Sequence, residues 1–400
     1  MSALDKFLKY VSFDTQSDPE SETVPSTAKQ LVLARVLEQE LKDLGLSDVK
    51  LADTGVVYAT LPATQGREND VQIGLISHMD TAGEMSGKDV RPRIIKNYDG
   101  GVIELNEEFS MSPERFGELN KVIGDDLVVT DGTTLLGGDD KAGIAIIMES
   151  LEKMIKEGRP HGTVWVAFTP DEEIGKGVEH FDYGHFKADF AYTVDGGDIE
   201  YVEYETFNAA LADVTFTGRS IHPGSAKGRM INAAAAAVQF ASVLPQWQRP
   251  EFTEGYEGFL HLLHMEGECE KAHLQYLIRD HDRTLFEKKK EILRNAQALV
   301  NSLYEGCCHL EIHDQYYNLK DYMNGDMHSV ERAKNALRKA GLEPKSNPIR
   351  GGTDGAVLSQ NGLITPNLGT GMANCHGRYE FVSVNKMEQM SDIVCDILEG

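Results

Sequence analysis

The chain has 400 residues, which at roughly 150 residues per domain implies two or three domains. Lys and Arg number 39 against 64 Asp and Glu, a net charge of −25, which argues against non-specific nucleic-acid binding and against docking on anionic lipid, while leaving an acidic pocket for cations open. The 41% hydrophobic content supports sizeable cores, so the excess charge does not imply disorder. No stretch approaches the roughly 20 apolar residues of a membrane span, and Met1–Lys6 has no basic-then-apolar leader. The five cysteines include the adjacent pair Cys307 and Cys308 and form no CxxC, which argues against a disulfide framework or a zinc ribbon. These features give the expectation of a soluble, reducing, cytoplasmic protein.

In chain order, Ser2 with Asp5 three residues on has the spacing of a capping box, and predicts a short helix to about Val11. Ser26 is expected to cap a second helix with Ala34, Leu37, Leu41 and Leu44 on its apolar face, ended by Gly45. Val71–Ser77 reads as a strand, Ala142–Lys156 as a helix, Thr163–Phe168 and Phe190–Val194 as further strands. This alternation implies an α/β domain on a mainly parallel sheet. Near Glu205 the texture changes. Ala210–Thr217, Leu274–Ile278 and His309–His313 read as strands, Met230–Leu244 and Leu285–Tyr304 as helices, a separate α+β unit of about 110 residues on the same domain-size reasoning. The expected organisation is a larger domain in two segments, 1–205 and 320–400, interrupted by a smaller one at 206–319.

Metal-binding residue types fall just past strand ends. Val71–Ser77 runs into His78-Met79-Asp80, Thr163–Phe168 into Thr169-Pro170-Asp171-Glu172-Glu173, and Phe190–Val194 into Asp195-Gly196-Gly197. In open α/β sheets the ligand crevice lies at those carboxyl ends. Gly137-Gly138-Asp139-Asp140-Lys141 opens the helix from Ala142, and Asn374-Cys375-His376-Gly377 follows a glycine-rich stretch. Taken singly, each cluster has a plainer reading: a chance HxD, a helix-capping Asp139, a solvated Glu172-Glu173 loop. Jointly they suit zinc, with cobalt or manganese as alternatives, and their number exceeds the three protein ligands of an ordinary mononuclear site. Two ions sharing a carboxylate fit the surplus, with a non-ligating carboxylate left to act as general base.

With these motifs in hand, the chain resembles the dinuclear-zinc metallopeptidase family that also holds aminoacylases and glutamate carboxypeptidases. The matching stretches are Ser77–Thr81, Leu135–Gly143, Ala167–Glu173, Tyr192–Gly197, Ile221–Gly224 and Ile349–Gly355, in the right order along nearly the whole chain. The resemblance implies two Zn²⁺ per subunit, His78 and Asp195 on one ion, Glu173 and His376 on the other, and Asp139 bridging. It implies Asp80 as the acceptor that orients His78, Glu172 as general base then acid, and a cis peptide at Asp139–Asp140. The smaller domain is implied to be a ferredoxin-like lid or dimerisation domain, able to support a homodimer, with His222 as an oxyanion donor; the plainer reading of His222 is a turn residue before Pro223. Arginine suits a peptide carboxylate because its fork binds both oxygens, which makes Arg279 and Arg350 candidates. Arg279 could instead pair with Asp280 or Asp282.

The implied activity is that of a tripeptide aminopeptidase releasing the N-terminal residue of short peptides. A dipeptidase, a carboxypeptidase or an N-acyl-amino-acid deacylase on the same scaffold is the alternative, and a catalytically dead metal-binding scaffold is the contrasting class. Gly138 and Cys375 depart from the residues common at those positions, and neither change removes a ligand.

Overall fold

The computed structural model describes residues 1–400, which divide into two compact units. The larger comprises Met1–Tyr204, Tyr322–Asn347 and Thr353–Gly400; the smaller comprises Glu205–Asp321 and Pro348–Gly352. The expectation that everything after residue 320 lies in the larger domain is corrected here for one short segment. Pro348–Gly352 returns to the smaller unit because Ile349 bridges Thr206 and the Ile349 and Phe207 amides bond the carbonyls of Glu205 and Gly351.

A seven-stranded sheet organises the larger unit, in the order Ser47–Leu51, Val57–Leu61, Val164–Thr169, Ile73–His78, Phe190–Gly196, Asn367–Gly369, Val202–Glu203. The four central strands from Val164–Thr169 to Asn367–Gly369 are mutually parallel, and the flanking pairings are antiparallel. Every residue of Val57–Leu61 and Ile73–His78 is buried, the pattern of strands covered on both faces. The helix Gly138–Glu157 packs on Ile73–His78 and Phe190–Gly196. Its approach is close enough that a Cβ on Gly143 would sit 1.8 Å from the Val194 carbonyl oxygen, so only glycine fits there. Tyr58, Ile76, Ala167 and Ala191 pack with Val178, Phe181, Phe186 and Leu358 in a second core layer. The larger unit also carries a small four-stranded antiparallel sheet and a two-stranded ribbon, which the alternating pattern does not reveal.

The first helix, Ala3–Tyr10, has its capping box, Ser2 and Asp5 bonding each other's backbone amides. Ser26 is not a cap. The second helix starts at Gln30 without a side-chain cap, and the Ser26 amide and hydroxyl instead bond the Asp171 carboxylate.

The smaller unit has the order strand, helix, strand, strand, helix, strand: Asn208–Thr217, Ala233–Val243, Phe259–Gly267, Lys271–Asp280, Arg283–Leu303, Cys308–Tyr316. Its sheet is antiparallel, with Phe259–Gly267 and Cys308–Tyr316 at the edges, a ferredoxin-like arrangement. Both helices pack against the strands through one shared core, with Ala210, Val214 and Phe216 of the first strand meeting Phe240, Phe286, Leu293 and Val300. The helix Arg283–Leu303 starts at an Asp282 cap.

Candidate metal centre

Parallel strands deliver their carboxyl ends to one edge of the sheet, and that edge gathers the predicted residues of the larger unit. His78 is the last residue of Ile73–His78, and Asp195 lies near the end of Phe190–Gly196. Glu172 and Glu173 form a tight turn after Val164–Thr169. Asp139 opens the long helix, and His376 stands in the left-handed region (φ 65°) on the loop before Phe381–Ser383.

The Nε2 atom of His78 lies 2.9 Å from Asp139 Oδ1 and 3.5 Å from Asp195 Oδ1. On the other side, His376 Nε2 lies 3.4 Å from Asp139 Oδ2 and 3.0 Å from Glu173 Oε2. Asp139 thus turns one oxygen toward each imidazole. His78 is buried whereas His376 is exposed, so the two halves differ in solvent access. The Asp139–Asp140 peptide is cis. Asp140, also close to His78 and Asp195, is committed elsewhere: it accepts from the Ser77 hydroxyl and from the amides of His78 (3.3 Å) and Gly143 (3.2 Å).

Asp80 ties this geometry together. Its Oδ1 lies 3.3 Å from His78 Nδ1, and the two oxygens accept the Glu172 and Glu173 amides at 2.9 and 3.2 Å. One buried carboxylate therefore orients an imidazole and fixes the turn presenting two further acids. Three further residues have supporting roles that the motifs do not reveal. Glu380 is buried and accepts the amides of Leu136 (2.8 Å), Gly137 (2.9 Å) and Asp139 (3.0 Å), gripping the loop that presents Asp139. Asp171, at φ 60°, is held by Ser26 and Gln30 and anchors the Glu172–Glu173 turn. Asp354 accepts the Thr169 hydroxyl at 2.9 Å. Asp171 and Asp354 lie inside motifs already singled out, while Glu380 has no local signal, because its partners are backbone amides about 240 residues away.

The electrostatics follow from this crowding of acids. Burial pushes Asp195 up to about 7, with Asp139 adding to the effect, and pushes Glu172 well above the usual carboxylate range, helped by Asp354, Asp195 and Glu173. Burial also acts on Asp139, but bonds to His376 and His78 overcome it and hold that carboxyl below its ordinary value. Bonds to Asp139 and Glu173 raise His376 to about 11. So many half-buried carboxylates repel one another unless cations join them. Two imidazoles and three carboxylates converging in this way form a donor set that fits a pair of borderline divalent ions.

A model of the Peptidase family M20/M25/M40 matches residues 131–400. The chain belongs to this family. Among its relatives, the peptidase T of Caldanaerobacter subterraneus subsp. tengcongensis is 49% identical over 400 residues, covering 99% of this chain and 98% of its own. The peptidase T of Parabacteroides distasonis is 49% identical over 402 residues, covering 100% and 98%. Among solved structures, aminopeptidase PepT from Bacillus cereus matches with a TM-score of 0.79 at 25% identity, covering 99% of this chain and 97% of that one. A tripeptidase from Staphylococcus aureus shares the fold at the same TM-score and 21% identity, with the same coverage.

The remaining predicted residues lie in the smaller unit. His222 caps the turn Pro223–Ser225, its Nδ1 accepting the Gly224 amide at 3.2 Å. In a neutral ring that contact places the proton on Nε2, leaving it a donor. Arg279 pairs with neither Asp280 nor Asp282. Its guanidinium donates to the carbonyls of Ala210 and Ile278 and to Gln315, while Asp280 pairs with Lys289 and Asp282 caps a helix. Arg350 is engaged differently from what a free carboxylate-binding fork requires: it donates to the carbonyls of Gly255, Glu257 and Thr253 and to the Thr253 hydroxyl, with its guanidinium over Phe207 and Phe259. As it stands, Arg350 clasps the Thr253–Glu257 loop. All five cysteines are free, and no helix is long and apolar enough to cross a membrane.

Proposed function

We propose that the chain is a tripeptide aminopeptidase working with two divalent ions, zinc as the leading choice and cobalt or manganese as substitutes. The carrying observation is Asp139, whose two oxygens face His78 on one side and His376 on the other. In this reading His78 and Asp195 hold one ion, Glu173 and His376 the second, and Asp139 both. When bound, such ions acidify water and polarise a peptide carbonyl.

The chain's own groups account for the rest. Glu172 bonds neither imidazole, and burial with neighbouring acids raises its affinity for protons well above the usual carboxylate range. It takes the proton of the attacking water and returns it to the leaving amine. Asp80 keeps His78 in the tautomer that leaves Nε2 as the ligating atom. His222, with its proton on Nε2, supplies a donor for the developing oxyanion. Arg279 retains N–H groups beyond the three bonds it makes and serves the peptide carboxylate. The smaller unit acts as a lid, and its edge strand Phe259–Gly267, with Leu263 and Met265 exposed, supports a homodimer contact. Free cysteines throughout support a reducing, cytoplasmic setting.

The test is turnover of one tripeptide in free, N-acetylated and C-amidated forms. Efficient hydrolysis of the free form alone is expected. Equal rates on the acetylated peptide would point to a deacylase and remove the aminopeptidase reading.

A further inference from the structure

The two helices of the smaller unit cover one face of its sheet, and the other face carries alternating residues of all four strands. On Lys271–Asp280 these are His273, Gln275, Leu277 and Arg279, each less buried than its inward neighbours. The edge strand Phe259–Gly267 has a bulge between Leu262 and His264, where Leu262 pairs with Tyr276 and His264 with Gln275. The extra residue, Leu263, reverses the alternation. Without it, Leu263 and Met265 would share the face with His273; with it, His264 and Glu266 do, Glu266 directly opposite His273. From the neighbouring strand Asn208–Thr217, Asp213 pairs with Gln275 and joins the same face.

The donor atoms of His264, Glu266 and His273 all lie within 4.8 Å of one another. His264 Nε2 is 3.8 Å from Glu266 Oε2, and His273 Nε2 is 2.9 Å from Asp213 Oδ1, the separation also found between His78 and Asp139. The two imidazole rings stand 6.0 Å apart. A tetrahedral ion with bonds of about 2.1 Å needs donors roughly 3.4 Å apart, so rotation of the exposed His264 and Glu266 side chains toward the half-buried His273 closes this set without moving the strands. Cross-strand His–carboxylate pairing would explain either pair singly. It does not explain why a bulge brings two imidazoles to the same acids.

We propose that this open sheet face holds a third, mononuclear site for a borderline transition-metal ion of the zinc class, ligated by His264, Glu266 and His273 with Asp213 beside them and solvent completing the shell. The ion pins the bulged edge strand to its neighbour. It is independent of the dinuclear centre, since none of these residues takes part there.

The experiment is equilibrium dialysis of the full chain against Zn²⁺, with circular dichroism on every variant. A chain carrying His78→Ala and His376→Ala is expected to retain one equivalent, and adding His264→Ala and His273→Ala to abolish it. His264→Ala alone weakens that equivalent by at least about tenfold, the lower end of what even outer-shell changes cost a metal site. The His264→Ala, His273→Ala chain with its dinuclear centre intact keeps its peptidase turnover. No bound Zn²⁺ in the His78, His376 variant, or an equivalent indifferent to His264 and His273, overturns the proposal whatever the dinuclear centre is found to hold.

Discussion

In the larger unit, His78, Glu172 and Asp195 sit at or just past the ends of parallel strands, whereas in the smaller unit Asp213, His264, His273 and Arg279 sit within antiparallel ones. The first arrangement makes chemistry buried and convergent, because every parallel strand delivers its last residues to one edge. The second spreads polar groups over a surface, where register decides what meets what. In the half-buried cluster cations offset mutual repulsion, while the open face is screened by water. Substitutions in the two regions should therefore differ in kind.

The largest effect is expected at Glu172. Replacing it with Ala removes the base but no proposed ligand, so turnover falls by at least about 100-fold while metal content is retained. Metal analysis beside turnover checks this, and normal activity in the variant would remove Glu172 from the mechanism.

Glu380→Gln comes next. Its carboxylate receives three amides of the loop that presents Asp139, and an amide side chain offers only one acceptor oxygen. A supporting residue of this sort typically costs 10–100-fold in metal affinity. Competition with a chelator should show that loss with secondary structure intact. Unchanged affinity would mean that the loop holds itself.

The contrast also explains what could be read from the amino acids. The strands ending in His78, Glu172-Glu173 and Asp195 were legible because an apolar run followed by polar ligand types marks a strand end without knowledge of the pairing partner. The capping box at Ser2 and Asp5 was legible for the same local reason. Ser26 misled because a serine before an apolar run looks the same whether it caps the helix or bonds a distant Asp171. The strand Phe259–Gly267 escaped notice: its bulge breaks the alternation that identifies a strand. The partners of Arg350 were not legible either, because no local pattern shows that Thr253–Glu257 loops back to its guanidinium.

That pair of arginines gives the third prediction, now within the smaller unit. Arg350→Ala should lower the melting temperature by a few degrees, because bonds from a charged donor contribute about 1.5–3 kcal/mol, and should leave KM nearly unchanged. Arg279→Ala should do the reverse, raising KM for a free tripeptide about tenfold, as expected from loss of one charged contact, and changing it little for the C-amidated form. A reversed pattern, with KM responding at Arg350, would make Arg350 the carboxylate-binding residue instead.

The smallest effect concerns the helix Gly138–Glu157, far along the chain from the ligand at its start. Burial raises the Glu152 carboxyl, but Lys156, Lys6 and the N-terminal ammonium outweigh it and hold the group at about 2, below its ordinary 4.5. A depressed folded-state value favours the native form above about 4.5, and that contribution disappears as the pH falls from there toward 2. Glu152→Gln should therefore destabilise the chain at neutral pH by about 1 kcal/mol or less, since Lys156 and the terminus are exposed, and the difference from wild type should vanish near pH 2. Denaturant titrations at pH 7 and in acid measure it. Turnover at neutral pH should not change, because the substitution lies at the scaffold end of a helix whose other end presents Asp139. A loss of activity at constant metal content would show that the helix transmits its packing to the site, and the separation between scaffold and centre drawn above would then fail in the larger unit itself.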